Sequence, residues 1–159
     1  MILEILQWLQ GSALAVSVSE RWFPIVESLH VITMAIVAGT IFIVDTRLMG
    51  LTSRSLAFTY LSERLLPWTW WAFACSVVTG TLLFIANATG YYDNGPFRWK
   101  MILMGLAGIN MLYFQRVTFR GVSAWDSGDP PLPARTAGIS SIVLWSGVIG
   151  LGRWIGFTS

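Results

Sequence analysis

The sequence predicts an all-α membrane protein, a polytopic up-and-down bundle of four spanning helices preceded by a helix on the membrane surface. Of its 159 residues, 55% are hydrophobic and 11% are charged, against roughly 45–50% and about 25% in soluble domains. Four apolar runs are each long enough, as helices, to cross a hydrocarbon core about 30 Å thick. These runs lack the alternating pattern of barrel strands, so helices are the structure that satisfies their backbone groups in lipid.

The four predicted spans form one integral membrane domain over residues 1–159. Their approximate bounds are Ile25 to Met49, Pro67 to Ala88, Phe97 to Thr118 and Ala137 to Phe157, that is 25–49, 67–88, 97–118 and 137–157. Proline is tolerated in the first turn of a helix, and three tryptophans of the kind found at membrane interfaces follow Pro67. We therefore expect the second helix to begin at Pro67.

The first 24 residues need a separate interpretation. A signal peptide is disfavoured because no basic residue precedes the apolar stretch and polar residues interrupt it. On a helix, Ile2 and Leu6 share one face, while Glu4 and Gln7 lie on another. Segment 1–24 is therefore predicted to lie along the membrane surface as an amphipathic helix.

Lysine and arginine near the span ends predict the orientation, because cytoplasmic loops carry an excess of them. Six flank the first and third loops and four flank the opposite side: Arg47, Arg54, Arg64, Arg116, Arg120 and Arg135 against Arg21, Arg98, Lys100 and Arg153. The excess predicts that the first and third loops face the cytoplasm and that both termini lie outside.

Ionisable residues inside spans are rare and mark candidate sites. Near the outer end of the first span, Glu27 and His30 are three residues apart and share a face. Arg98, Lys100 and Arg153 lie at the same predicted depth. These five residues predict an outer polar cluster that binds a small ligand or a partner subunit. Within it, Glu27 is expected to hold His30, and Arg153 to complete the pair.

A second polar group is predicted at the inner end of the bundle. It contains Asp45, Arg47 and Arg116. Long cationic side chains near the end of a span commonly extend to the lipid headgroups. We expect these residues to form ion pairs at the interface and no binding site.

Metal and cofactor chemistry is limited by the small number of ligands. There is no second histidine, and Cys75 lies at a different depth from His30, so no metal site is predicted. Haem b stays an alternative, since His30 and Met104 have similar predicted depths and can both serve as axial ligands. The alternative functions are a b-type haem or quinone-linked electron carrier, and a transporter of protons, copper or small solutes. For transport of copper, Met101, Met104 and Met111 offer soft ligands.

No motif for nucleophilic catalysis or phosphate chemistry is present, so no enzymatic activity is predicted. A net charge of +2 without any basic block does not favour nucleic acid as a partner. Small residues that let helices approach closely occur in every span: Ala35 and Gly39, then Ala72, Ser76 and Gly80, then Gly105 and Gly108, then Gly152 and Gly156. The expected partners are the lipid bilayer and either a second copy or a larger membrane complex.

Four segments carry a family resemblance: FPIVESLHVITMAIVAGTIFIVDTRLMGL, LLPWTWWAFACSVVTGTLLF, FRWKMILMGLAGINMLYF and PARTAGISSIVLWSGVIGLGRWIGF. They resemble a bacterial family of four-span integral membrane proteins classed as a domain of unknown function. The motif residues include Glu27, His30, Lys100 and Arg153. The resemblance implies a multi-pass protein of the bacterial inner membrane and implies no activity. The family pattern often has a histidine where this chain has Gln115, which argues against an inner metal or haem site.

Overall fold

The computed structural model describes residues 1–53 and 55–158, so Arg54, counted above for the orientation, lies outside the described residues. Within these ranges all regular structure is helical, which confirms the all-α class. The α-helices are α1 Ile2–Gln10, α2 Ala13–Ser17, α3 Phe23–Leu48, α4 Phe58–Ala86, α5 Ala88–Asp93, α6 Gly95–Tyr113 and α7 Leu132–Thr158. A π-helical turn, Val18–Trp22, joins α2 to α3, and a second π turn, Phe114–Thr118, and a 3-10 helix, Phe119–Ala124, follow α6.

In the part of the chain that the structure describes, three helical segments are long and apolar enough to cross a membrane: Ala13–Leu48, Phe58–Ala86 and Leu132–Thr158. The 19-residue α6 is not one of them. It carries Arg98 and Lys100 near its start and Asn110 near its end, and these polar residues lower its hydropathy. By length and composition, the chain therefore has the helices of a membrane protein.

The helix α3 packs against α4 and against α7, and α6 packs along α7. Val37 of α3 and Val148 of α7 have no exposed surface. Thr40 and Thr69 join α3 to α4 by a hydrogen bond of 2.8 Å. We call the end that holds α1 and α5 the α1 end, and the opposite end, where α3 finishes, the Arg47 end.

The amphipathic helix at the N-terminus is shorter than predicted. It ends at Gln10, and from Ala13 onward the chain is helical into α3. The side chain of Leu6 is buried, and Gln10 Oε1 accepts hydrogen bonds from the N–H and hydroxyl of Thr89 at 3.2 and 2.8 Å. The large apolar side chains left exposed are Ile2, Leu3, Ile5 and Trp8. Thus α1 contacts α5 with one face and leaves an apolar face uncovered.

The prediction that Pro67 begins a helix is wrong, because α4 begins at Phe58 and Pro67 lies inside it. The start is anchored by the loop after α6. The N–H of Phe58 donates to the carbonyl of Asp126 at 2.9 Å, and the N–H and hydroxyl of Thr59 donate to the Asp126 carboxylate at 2.8 and 2.7 Å. The hydrogen bond from the Thr59 N–H lowers the pKa of the Asp126 carboxyl, which caps α4 in its ionised form.

The glycines of the predicted packing seams are used unequally. A Cβ at Gly80 would lie 3.1 Å from His30, so this seam faces the bundle. A Cβ at Gly39, Gly105, Gly108 or Gly156 would have no atom within 4 Å, so these glycines face outward. A closer approach occurs at Gly138 of α7, where a Cβ would lie 2.9 Å from the backbone carbonyl oxygen of Asp45.

Candidate ligand site between His30 and Lys100

His30 is fixed by hydrogen bonds to α4. Its Nδ1 lies 3.1 Å from the carbonyl oxygen of Ser76 and 3.0 Å from the hydroxyl of Thr79. A carbonyl can only accept, so Nδ1 carries a hydrogen and donates it. The Thr79 hydroxyl donates to the Cys75 carbonyl at 2.9 Å and can accept from His30. In the neutral imidazole, the free lone pair is therefore on Nε2.

The α4 helix is shaped to receive this ring. A Cβ at Gly80 would lie 3.1 Å from His30 Cε1 and 4.0 Å from Nε2, closer to Cε1 than most real Cβ contacts. The hydroxyl oxygen of Ser76 is buried and has no hydrogen-bond partner among residues 1–53 and 55–158. The residues that hold His30 thus come from one short stretch, CSVVTG, where small residues recur at helical spacing. Sequence reasoning gave Ser76 and Gly80 a packing role and missed Thr79.

Lys100 brings a positive charge to the same level of the bundle. Its side chain lies across α7 at Gly152, where a Cβ would be 3.7 Å from Nζ. Its positive charge contributes to the electrostatic environment of the His30 imidazole. Two contacts therefore lie at this level of the bundle: His30 of α3 on the Ser76 to Gly80 stretch of α4, and Lys100 of α6 on Gly152 of α7.

The other predicted members of the cluster lie apart from this centre. Glu27 and Arg153 are exposed, and the Arg153 guanidinium lies 5.5 Å from the ring centroid of Phe157. Arg98 is also exposed and donates to the carbonyl of Asp93 at 3.3 Å. Among the described residues the one ion pair joins the N-terminus to Glu4. The predicted Glu27–Arg153 pair is therefore wrong. His30 is held by residues of α4 and not, as predicted, by Glu27.

An aromatic group lies about one helical turn from the site, toward the α1 end. Phe84 and Phe97 stack with ring centroids 5.6 Å apart, and Tyr91 lies 5.4 Å from Phe97. Burial raises the pKa of the Tyr91 phenol, and the negative charge of Glu27 raises it further. The three rings form an apolar wall between α4, α5 and α6.

The predicted inner polar group is organised differently from the expectation. Arg47 has no exposed surface, so the prediction that its side chain extends to the headgroups is wrong. Its Nε donates to the Leu56 carbonyl at 3.1 Å, and its Nη2 donates to the carbonyls of Asp126 and Gly128 at 2.9 and 3.3 Å. Arg116 is exposed and takes no part. Arg47 thereby ties the end of α3 to both loops at this end.

Among the described residues, no feature of the structure favours a haem at His30. The Nδ1 side of the imidazole is held by α4. Two surface grooves, of about 600 and 220 Å³, lie elsewhere and include neither His30 nor Met104. The methionines do not share one environment either, since Met101 is exposed while Met104 and Met111 are half-buried.

Comparison with known proteins identifies the family. The model of a family of unknown function, DUF6644, matches residues 13–158. The chain belongs to this family. The resemblance to a domain of unknown function is thereby confirmed, and both polar groups of this DUF6644 protein lie within the matched residues. No curated protein and no solved structure matches the chain.

Proposed function

We propose that this DUF6644 protein is a four-span membrane protein that binds a small oxyanion at the site between His30 and Lys100, without chemistry of its own. The observation that carries the proposal is the ammonium of Lys100, which is half-buried and forms no ion pair among the described residues. An unpaired cation inside a membrane bundle is costly, by several kcal/mol. An anionic ligand supplies the missing charge.

The fourth span of the proposal is α6. It packs along α7, and together with the π turn it extends from Gly95 to Thr118. At about 1.5 Å per residue this length is roughly 36 Å, enough for a hydrocarbon core of about 30 Å. Lys100 then lies within the span, where a charged residue has a functional role by default.

The free Nε2 of His30 indicates which chemical groups the ligand carries. Its Nδ1–H is occupied by α4, so Nε2 is available to accept a hydrogen bond from a ligand hydroxyl. Lys100 donates to a charged oxygen. The complementary ligand is an oxyanion that also carries a hydroxyl, such as a hydroxycarboxylate or a protonated phosphate group. The wall of Phe84, Tyr91 and Phe97 offers an apolar surface for the uncharged part of the ligand.

Thermal unfolding of the detergent-solubilised protein tests this function. We expect lactate or phosphate to raise the melting temperature of the wild type, because a ligand that binds only the folded state stabilises it. Lys100→Met should abolish that increase. Arg98→Met, which removes an exposed cation two residues away, should keep it. No increase in the wild type, or an equal increase in both variants, would refute the proposal.

We further propose a location in the bacterial inner membrane, with the α1 end outside and the Arg47 end in the cytoplasm. The six-to-four distribution of lysine and arginine supports this orientation. The orientation also places the His30–Lys100 site in the outer half of the membrane, where it receives ligand from outside the cell.

The orientation predicts a pattern of thiol labelling. Cys75 is exposed on the surface of the bundle but lies in the middle of α4, so lipid should protect it from an aqueous reagent. A cysteine at Ser127, in the exposed loop at the Arg47 end, should react in inverted vesicles and stay unlabelled in intact cells. Labelling of Ser127→Cys in intact cells by an impermeant maleimide would reverse the proposed orientation.

A further inference from the structure

Asp45, near the end of α3, is a buried acid that forms no ion pair among the described residues. Its exposed fraction is 5%, and its buried Oδ2 has no hydrogen-bond partner in the part of the chain that the structure describes. The side chain of Ser141 on α7 interacts with the carboxyl group. The backbones of α3 and α7 approach closely at this residue, since a Cβ at Gly138 would lie 2.9 Å from the Asp45 carbonyl oxygen. The carboxyl group is therefore enclosed between α3 and α7.

The described cations at the Arg47 end form no ion pair with Asp45. Arg47 donates to loop carbonyls from Nε and Nη2, while its Nη1 has no hydrogen-bond partner among the described residues. Arg135 Nε donates to the Pro130 carbonyl at 2.9 Å. On α4, the exposed Arg64 lies over the ring of Tyr60 at 5.5 Å. The carboxylate of Asp126 accepts hydrogen bonds from Thr59. The other described charged side chains around this end are exposed: Glu63, Arg116, Arg120 and Asp129. None of the described cations forms an ion pair with Asp45.

We propose that Asp45 is a proton-binding site and that the folded protein holds it as the neutral acid. A buried carboxylate without a cation or a full set of donors costs several kcal/mol, and taking up a proton from water removes that charge. The neutral acid has an O–H that can donate to an acceptor on α7, and Ser141 supplies such an oxygen. The proposal is independent of the ligand site, which lies at the other end of the bundle.

Binding of this proton is linked to the packing of α7 on α3. Water that reaches the carboxyl group stabilises its ionised form, so a separation of the two helices at Gly138 releases the proton. A proton taken up or released at this position connects the cytoplasmic end of the proposed topology to a movement of the bundle. The site thus provides the chemistry required for a proton-coupled change of conformation.

Infrared spectroscopy of the solubilised protein at neutral pH tests the proposal directly. We expect a carbonyl stretching band of a protonated carboxylic acid in the wild type and no such band in Asp45→Asn. The matched control is Asp129→Asn, an exposed acid in the loop before α7, which should leave the band unchanged. A wild-type spectrum without the band, or a band that persists in Asp45→Asn, would overturn the assignment.

A second measurement covers the case in which Asp45→Asn fails to fold. Wild-type protein labelled with carbon-13 at the aspartate carboxyl group needs no substitution. The band should shift to lower frequency on labelling, because the heavier carbon lowers the stretching frequency of an aspartic acid. The shifted band is assigned to Asp45 because Asp93, Asp126 and Asp129 are less buried. A band that does not shift belongs to a glutamate and excludes Asp45 as its source.

Discussion

Replacing Arg47 by methionine should lower the free energy of unfolding by about 3–5 kcal/mol. The substitution leaves the carbonyls of Leu56, Asp126 and Gly128 without their donor at a fully buried position. It also removes the hydrogen bonds by which one side chain joins the end of α3 to both loops. Arg47→Lys should be intermediate, because one ammonium cannot reproduce the planar fork. Equilibrium unfolding in mixed detergent and SDS, followed by circular dichroism, measures the difference.

The control for Arg47 is Arg116→Met, which removes an exposed arginine at the same end of the bundle. Its effect should lie within about 0.5 kcal/mol of zero, as for surface positions in general. Similar losses in the two variants would mean that the buried guanidinium contributes no more than surface charge, and the role assigned to Arg47 would then be wrong.

Gly138→Ala should destabilise the bundle by about 1–3 kcal/mol, the usual range for overpacking. The new methyl group would lie 2.9 Å from the backbone oxygen of Asp45 and 3.1 Å from Leu48 Cβ. A backbone oxygen cannot turn aside as the end of a flexible side chain does, so α3 and α7 must separate. The same unfolding assay detects the loss.

Gly105→Ala is the matched substitution on an exposed helix surface. Apart from the backbone of its own helix, no described atom lies within 4 Å of the added carbon. Alanine is the better helix former by up to about 1 kcal/mol, so this variant should be neutral or slightly more stable. If Gly138→Ala behaves in the same way, then α7 does not approach α3 as closely as described.

The helical class and the position of the polar residues along the chain follow from the sequence, because they depend on composition and local spacing. The partner of His30 does not. Residues three apart on a helix differ in direction by about 60°, which is enough to leave Glu27 exposed while His30 faces α4. The atoms that hold His30 belong to Ser76 and Thr79, 46 and 49 positions away, and no local pattern pairs them.

The burial of Arg47 could not be predicted from local sequence patterns either, because it depends on how the loops fold. An arginine at the end of an apolar run is normally interpreted as reaching toward the headgroups. Its burial here depends on the chain around Asp126 folding back over the start of α4, where Asp126 receives the hydrogen bonds from Phe58 and Thr59. Such a contact between two loops leaves no periodic signal in the sequence. The same contact with Asp126 explains why α4 begins at Phe58, well before Pro67.

The helical segment Ala13–Leu48 contains 36 residues, or about 54 Å at about 1.5 Å per residue. This exceeds a hydrocarbon core of about 30 Å, so the segment must tilt strongly or project beyond the lipid. The N-terminal part of this long segment is held to the bundle through α1, whose Gln10 accepts hydrogen bonds from Thr89 of α5.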